Sequence, residues 1–525
     1  MWLCYNKGMK KLFNYRPLVS ICLFLIAGIV FVSGFYIADV FHFVMSAVAM
    51  VLTIVTIIVK SVKAKDMKLF KVFSVLIAFV FGGLLTLANA EIISNTNNFE
   101  GFYNVHGRVC EDVYVSEKGK YVISLDHAYV IVNGESKKVN GKVMLYLEAD
   151  DGRSKDFEIG STIISKVNVS KPKFSFKQTY FYYANKHVSL TGYGSEGYAT
   201  LIGTKDRNLA QKYKLSIKDS LSYWLDESYS ELAYTMLFGD RGELDEDISE
   251  VFQASGIAHL LAVSGLHVGF IVTLLSFILG FCKANDKTKF FVIVPVVFIY
   301  ALLCGFTISI TRAFIMTFVL LYLKMRRKEY DGLSSLSLAC IVILLICPFQ
   351  IYSAGFRLSF GAVLGIILLA KTFERWFSRV FHNKLSSALA IALSATIGTI
   401  PTLALCFKNL SIFSIVANIL AIPIASIAFM IMFSFSIFGA IFKPFGFGLV
   451  VFKWLMYVVT IIGKIFGSLT FAGASYQWIV AFSFLLVAFV MFMSDFTFFE
   501  KKQKTWLSAV SGVLALGCFV LAFVL

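Results

Sequence analysis

The segment 252–270, FQASGIAHLLAVSGLHVGF, places three side chains that are able to do chemistry inside an apolar run. Its imidazoles and hydroxyl are His259, Ser264 and His267. A serine beside a histidine suggests a nucleophile with a general base, as in a hydrolase. Two histidines on one helical face suggest a metal site. In a continuous helix, His259, Val263 and His267 share a face at i, i+4 and i+8.

Neither kind of chemistry is complete in the sequence. A metal site needs a further ligand, and no other His, Cys or carboxylate falls on that face. A hydrolase needs a distant base, but the later histidine, His382, falls in a predicted cytoplasmic loop. Two alternatives are packing histidines, with Gly265 and Gly269 allowing close helix approach, and polar side chains that line a conduit.

Two arginines lie near the predicted outer ends of apolar runs, Arg312 in GFTISITRAFIM and Arg357 in YSAGFRLSFGAVLGI. An arginine within hydrocarbon costs roughly 2.5–3.5 kcal/mol on insertion scales. Each must therefore snorkel to head groups or face a partner or cavity. Together with the histidines, they are able to form an electropositive entry for a polyanion.

The elements that position these residues are apolar spans. The chain has 525 residues, is 58% hydrophobic and 15% charged, and has a mean hydropathy of +0.77, which predicts a polytopic α-helical membrane protein. About thirteen spans are predicted: 18–37, 40–59, 70–90, 257–281, 289–306, 309–324, 333–350, 354–370, 385–407, 411–440, 446–470, 476–494 and 505–525. The first span, 18–37, is expected to be an uncleaved membrane anchor. The run 411–440, broken by Pro423, is either one kinked span or a re-entrant pair.

The net charge of +16 reflects topology and is weak evidence for nucleic-acid binding. Residues 91–256 hold 19 Lys/Arg and 24 Asp/Glu, whereas the remainder holds 29 and 8. The basic residues of the remainder cluster in alternate short loops, which are therefore cytoplasmic. Alternation then puts 91–256 outside the cytoplasm. The nine cysteines form no CxxC pair and no zinc spacing, and no metal or cofactor is expected.

The outer segment begins with about five short alternating strands and Gly/Asn turns, which predict a small β-barrel of the OB type. From Arg207 the apolar period becomes helical, which predicts an amphipathic helix that lies on the membrane or caps the bundle.

A basic stretch closes this segment, with ten basic and two acidic residues over 166–218. Aromatic residues alternate with lysines in KPKFSFKQTYFYYANKH. Such a pattern either binds single-stranded nucleic acid or seats the barrel on lipid. The candidate DNA-binding lysines are Lys166, Lys171, Lys173, Lys177 and Lys186.

The motif HLLAVSGLHVG, with the lead-in FGDRGELDEDISEVFQASGIA, resembles the signature of the ComEC competence proteins. SITRAFIM, PFQIYSAGFRLSFGAVLGI and SIVANILAIPI also resemble that family, and the likeness covers essentially the whole chain. It implies a channel that carries single-stranded DNA across the cytoplasmic membrane in natural transformation. The expected domains are spans one to three (1–90), an extracytoplasmic OB-like domain (91–205), an amphipathic helical connector (206–250) and a transmembrane channel domain (251–525).

The resemblance assigns a translocation path to His259, Ser264, Gly265, His267, Arg312 and Arg357. Many ComEC proteins continue into a metallo-β-lactamase-like domain, whose HxHxDH ligands are missing here, so nuclease activity is not expected. No P-loop GxxxxGK[ST] occurs, so an ATP-driven motor is expected as a separate partner. A DNA receptor, membrane lipids and further copies of the chain are the other expected partners. The alternatives are an intramembrane serine hydrolase and a transporter of another anionic polymer or solute.

Overall fold

A computed structural model describes residues 16–37, 68–94 and 99–468, with short gaps at 112, 117–118, 133, 149–156, 158, 172–178, 196–198, 204–208, 241–243 and 407–413. The predicted spans 40–59, 476–494 and 505–525 lie outside the described residues. Two helices, α1 (Pro17–Ile37) and α2 (Lys68–Ser94), pack against each other and precede a β domain.

The β domain is a closed five-stranded barrel with three extra short strands. Its strands are β1 (Gly101–Val109), β2 (Tyr114–Val115), β3 (Lys120–Val132), β4 (Glu135–Lys138), β5 (Lys142–Glu148), β6 (Thr162–Ser170), β7 (Val188–Ser195) and β8 (Ala199–Gly203). The ring runs β1-β3-β5-β7-β6 and closes where β6 pairs with β1. One parallel pair, β5 with β7, interrupts the antiparallel order, as in the Greek-key barrel of the OB class. The predicted barrel is confirmed.

Inward-facing residues of the ring strands form the barrel core. Inward residues such as Val143, Leu145 and Leu147 of β5 are fully buried, and those of the other ring strands join them in one apolar cluster. Helix α3 (Thr179–Asn185) covers part of the outside, where Tyr183 packs on Val122 and Met144.

Three helices follow the barrel: α4 (Leu209–Trp224), α5 (Glu227–Phe238) and α6 (Glu246–Ala254). Gln211 at the start of α4 donates to the Ile159 carbonyl of the barrel at 3.0 Å. Residues of α4 and α5, among them Leu221 and Met236, belong to the same apolar core as the bundle helices that come later. The connector helices thus pack onto the bundle, while the predicted domain boundaries stay predictions.

The bundle consists of α7 (Gly265–Phe281), α8 (Asp286–Leu303), α9 (Ile308–Met325), α10 (Gly332–Ile346), α11 (Ala354–Phe377), α12 (Asn383–Cys406), α13 (Ser414–Ile441) and α14 (Leu449–Gly467). Among the described residues, five stretches have the length and apolar composition needed to cross a membrane: Ile308–Met325, Ala354–Phe377, Leu385–Leu403, Val416–Ile441 and Lys443–Gly467. Shorter apolar helices cover Pro17–Ser33, Ser74–Asn89, Gly265–Phe281 and Gly332–Ile346. The chain is a membrane protein, and the count of thirteen spans stays a prediction.

The region around 411–440 forms a single helix, α13, which contains Pro423. The re-entrant alternative is therefore wrong for Ser414–Ile441. A proline is tolerated within a membrane helix when neighbouring helices and side chains satisfy the freed backbone groups.

The loop that connects α13 and α14 is bound by helix α4. Ser216 of α4 donates to the Ala440 carbonyl at 2.7 Å, and the Trp224 indole donates to the Lys443 carbonyl at 2.7 Å. Helix α4 starts at the barrel and carries Lys212, Lys214, Lys218 and Asp219, so it does not cross hydrocarbon. The loop and the barrel therefore lie at the same end of the bundle.

Candidate functional site: a cationic cluster at the start of helix α7

Helix α7 begins at Gly265, not at 257, and Ser264 is its N-cap residue. Ser264 has an extended backbone, with φ −130° and ψ 168°. Its Oγ accepts a hydrogen bond from the Leu266 N–H at 3.2 Å, and His267 Nδ1 accepts one from the Ser264 N–H at 3.3 Å. The two side chains thus form a reciprocal capping box, with histidine in the place that Glu or Gln usually takes.

This geometry breaks the helical face predicted for the histidines. His259 lies in a separate 3-10 turn, Ala258–Leu260, and its side chain is exposed, whereas that of His267 is fully buried. The interpretation of His259, Val263 and His267 as one face of a helix was wrong, because the chain between the turn and Gly265 is not helical.

The His267 ring is held from two sides. It stacks on Phe429 of α13, with ring centroids 4.4 Å apart and an angle of 16° between the planes. Since Nδ1 accepts a hydrogen bond, the neutral imidazole carries its proton on Nε2. Nε2 is buried and has no hydrogen-bond partner among the described residues. His267 therefore holds an unused donor inside the bundle.

Ser264 and His267 are not arranged as nucleophile and base. A hydrolase needs the serine hydroxyl to donate to the imidazole. Here the imidazole nitrogen that accepts is bonded to the backbone of Ser264, and the hydroxyl oxygen is used as the helix cap. Within the described part of the chain, no group of three or more His, Cys, Asp or Glu is placed to hold a metal ion.

Arg312 of α9 lies directly against the start of α7. It is 7% exposed, and its Nη1 donates to the Ser359 carbonyl of α11. A methyl group placed on Gly265 would overlap Nη2 of Arg312, so the absence of a side chain at Gly265 lets the guanidinium reach this helix end. The Nε of Arg312 is buried without an acceptor, and none of its recorded ion pairs or hydrogen bonds in the described ranges involves a carboxylate.

Arg357 lies two residues before Ser359 on α11. Its Nη2 donates to the Tyr352 carbonyl, and its Nε is buried without an acceptor among the residues described. The Tyr352 hydroxyl is hydrogen-bonded to Ser33 of α1, which ties the first helix to the turn before α11. Arg312 thus binds the backbone of α11 two residues after Arg357. The Nε–H of each arginine has no acceptor among the described residues.

Gly269 does not pack closely. No heavy atom of the described structure lies within 4 Å of the position that its Cβ would take, and the residue is exposed. Of the two glycines predicted to be packing points, only Gly265 is one. Two glycines not predicted to be packing points, Gly361 and Gly398, lie where the backbones of α11 and α12 touch.

The predicted DNA-binding lysines have different environments. Lys166 lies on β6 and is exposed, and Lys171 follows the same strand. Lys186 forms an ion pair with Glu111 at 2.9 Å, which also pairs with Lys142 at 2.8 Å. Lys173 and Lys177 lie outside the described residues.

Glu111 is a carboxylate that the sequence analysis did not single out. Burial raises its pKa, but hydrogen bonds from Lys142 and Lys186 outweigh that effect and lower the pKa to about 2. Lys186 therefore has a structural partner in the barrel, and it shares that one carboxylate with Lys142.

The described structure is an apolar helical bundle that carries two arginines, Arg312 and Arg357, and that joins a β-barrel. The sequence profile of the Competence protein family matches residues 236–498, half of the chain and the part that contains this cluster. The chain therefore belongs to the Competence protein family.

Three relatives illustrate the similarity. The chain is 26% identical to ComE operon protein 3 of Bacillus subtilis over 322 residues, which are 59% of this chain and 39% of that protein. It is 30% identical to Recombination protein 2 of Haemophilus influenzae over 227 residues (39% and 28%) and 24% identical to Competence protein ComA of Neisseria gonorrhoeae over 193 residues (35% and 27%). The chain spans less than half the length of these relatives. No solved structure matches it significantly.

Proposed function

We propose that the chain is a conduit that carries single-stranded DNA across the cell membrane during natural transformation. The observation that carries the proposal is Arg312, a guanidinium that is 7% exposed within a bundle of membrane helices and that has no carboxylate partner recorded among the described residues. A buried cation without a counter-charge is costly, so it is retained where an anion passes or binds. The phosphates of DNA supply such an anion at every nucleotide.

The surroundings of Arg312 support a path more than a closed salt bridge. The start of α7 contributes a helix N-terminus with its partial positive charge, and His267 contributes a buried Nε2–H. Arg357 adds a second guanidinium through the same stretch of α11. A phosphate that moves past these groups is offered several donors in turn, which favours binding at many weak sites instead of one tight site.

In the proposed conduit, the barrel meets the DNA before the arginines do. Helix α3 packs on the turn Pro348–Tyr352, and the Cys347 thiol donates to Asn185 Oδ1 at 3.9 Å. That turn leads directly to Arg357. In the proposal, residues 91–256 lie on the outer side of the cell membrane, and DNA passes from the barrel surface to the arginines.

The proposed conduit is not an enzyme, so other proteins complete the process. A receptor delivers DNA, a separate ATP-driven motor pulls the strand inward, and another activity removes the complementary strand. In the names of its relatives, "competence" and "recombination" agree with this role. The same arginines would suit another anionic polymer or solute, which is the second candidate.

Deletion of the gene from a transformable host tests the proposal. Labelled double-stranded DNA should still bind to the cell surface, but label should not enter the cytoplasm, and expression of the chain in trans should restore entry. Normal entry in the deletion strain would overturn the proposal. If the deletion strain failed to take up a different anionic compound but took up DNA normally, the second candidate would be favoured.

A further inference from the structure

A row of side chains crosses the outside of the barrel from β5 to β1. The strand register pairs Tyr146 with Tyr193, Tyr193 with Asn168, and Asn168 with Phe102. We call these four residues the aromatic row. At an interstrand spacing of about 4.8 Å, the row is about 14 Å long.

The rings of the aromatic row are held in place before any ligand arrives. Tyr146 and Tyr193 are stacked, with centroids 5.1 Å apart and an angle of 12° between the planes. The Tyr146 hydroxyl is hydrogen-bonded to that of Tyr183 at 3.0 Å, which fixes the first ring against α3. Exposure is 44% at Tyr193 and 71% at Phe102, so two of the rings present open faces.

The charge beside the row favours an anion. Strands β1, β6 and β7 contain no Asp or Glu, and Glu148 of β5, which is 66% exposed two residues after Tyr146, is paired with Lys120 at 2.8 Å. Lys166 is exposed next to Asn168 on the same side of β6, and its register partner on β1 is the exposed Asn104. The other basic residue of these three strands, Arg108 of β1, is paired with Asp126. Lys166 is therefore the cation that is left beside the row on these strands.

We propose that the aromatic row binds single-stranded nucleic acid, with bases stacked on Tyr193 and Phe102 and a phosphate on Lys166. This inference rests on the proposed function and assigns it a capture site that is separate from the arginines. Exposed aromatic rings beside a cation bind such strands without sequence preference. Lipid hydrocarbon suits the row less well, because Asn104, Asn168 and Lys166 would then lose their hydrogen bonds to water.

The full chain in nanodiscs of neutral phosphatidylcholine, titrated with a fluorescein-labelled oligothymidylate, tests this site. Tyr193→Leu and Phe102→Leu should each weaken binding about fivefold or more. Tyr193→Phe keeps the ring and should bind like the wild-type chain. Lys166→Gln should reduce the slope of log affinity against log salt by about 0.7.

The proposal would be overturned if the combined Tyr193→Leu and Phe102→Leu variant bound the oligonucleotide with wild-type affinity and salt slope. A row that only seats the barrel on lipid predicts this same outcome. Absence of any binding by the wild-type chain would also overturn it. DNA entry into cells tests the conduit separately. Loss of entry in the deletion strain, with oligonucleotide binding unchanged by the row variants, would leave the conduit standing and remove the row.

Discussion

His267 Nδ1 accepts a hydrogen bond from the Ser264 N–H at 3.3 Å, while Ser264 Oγ accepts one from the Leu266 N–H at 3.2 Å. This reciprocal pair fixes the buried imidazole and starts α7, whose first residue, Gly265, lies against Arg312. Ser264 and His267 thus act first on the structure of the helix, and through it on the groups that the helix end presents.

Replacing Ser264 tests this role. Ser264→Ala should lower the free energy of unfolding by about 1 kcal/mol, because one N–H of the first turn loses its acceptor. Ser264→Asn should restore most of it, since asparagine is an equally good cap. Thermal unfolding of the purified chain measures both. DNA entry should persist in both variants. A Ser264→Ala chain that unfolds like the wild type but has no DNA entry would instead indicate a chemical role for the hydroxyl.

Gly265 and Gly269 give a matched pair on one helix. Gly265→Ala places a methyl group against Nη2 of Arg312 and should displace the guanidinium, because Ala313 closes the other side. DNA entry should fall severalfold. Gly269→Ala meets no described heavy atom within 4 Å and should leave entry unchanged, with a gain of about 0.5–1 kcal/mol in stability. Equal entry in the two variants would contradict the assigned contact.

The contact of α11 with α12 depends on glycine. A Cβ on Gly398 would overlap the Gly361 carbonyl oxygen, so Gly398→Ala should separate the helix backbones and cost about 1–3 kcal/mol. Gly355→Ala is the control on α11, because its Cβ would lie 4.0 Å from Ile308 Cδ1, an ordinary contact. Its effect should stay within about 0.5 kcal/mol. Identical unfolding temperatures for the two variants would show that the helices do not meet at this point.

Glu111 should make the stability of the chain depend on pH. Its folded-state pKa, about 2, lies below the ordinary value of 4.5, because hydrogen bonds from Lys142 and Lys186 outweigh the effect of burial. The stabilisation is therefore present above about pH 4.5 and is lost as the pH falls towards 2. Glu111→Gln should lower the unfolding temperature at pH 7, and the difference from the wild type should shrink at pH 3.

Glu148 supplies the control for this pH effect. It pairs with Lys120 at 2.8 Å but is 66% exposed, and an exposed pair contributes little. Glu148→Gln should therefore change the unfolding temperature only slightly at either pH. A Glu111→Gln difference that stays constant from pH 7 to pH 3 would argue against the ion pairs.

Local patterns in the sequence predicted much of this architecture. Alternation in β1, β3 and β5 predicted the barrel, and hydropathy predicted the helices, because both patterns follow from which face each residue buries. The capping role of His267 was missed although the pattern S-x-x-H resembles a capping box, because the apolar run around it favoured one unbroken helix. The S-x-x-H pattern from Ser264 to His267 was therefore a local sequence signal for the start of the helix.

Other features depend on contacts between distant residues. The loop around Lys443 is bound through its backbone by Trp224, which lies 219 residues away in the sequence. The partner of Arg312, Ser359, is 47 residues away and uses a backbone carbonyl, which carries no residue-specific signal. Glu111 likewise meets Lys186 only when the barrel closes.

In the proposed conduit, DNA phosphates pass the Arg312 guanidinium. The most direct test compares entry of labelled DNA in strains that carry Arg312→Gln, Arg312→Lys and Arg375→Gln, with equal amounts of protein in the membrane. The account predicts a loss of at least tenfold for Arg312→Gln, partial function for Arg312→Lys, which keeps the charge but not the fork of donors, and wild-type entry for Arg375→Gln at the far end of α11. Wild-type entry in the Arg312→Gln strain would contradict the account.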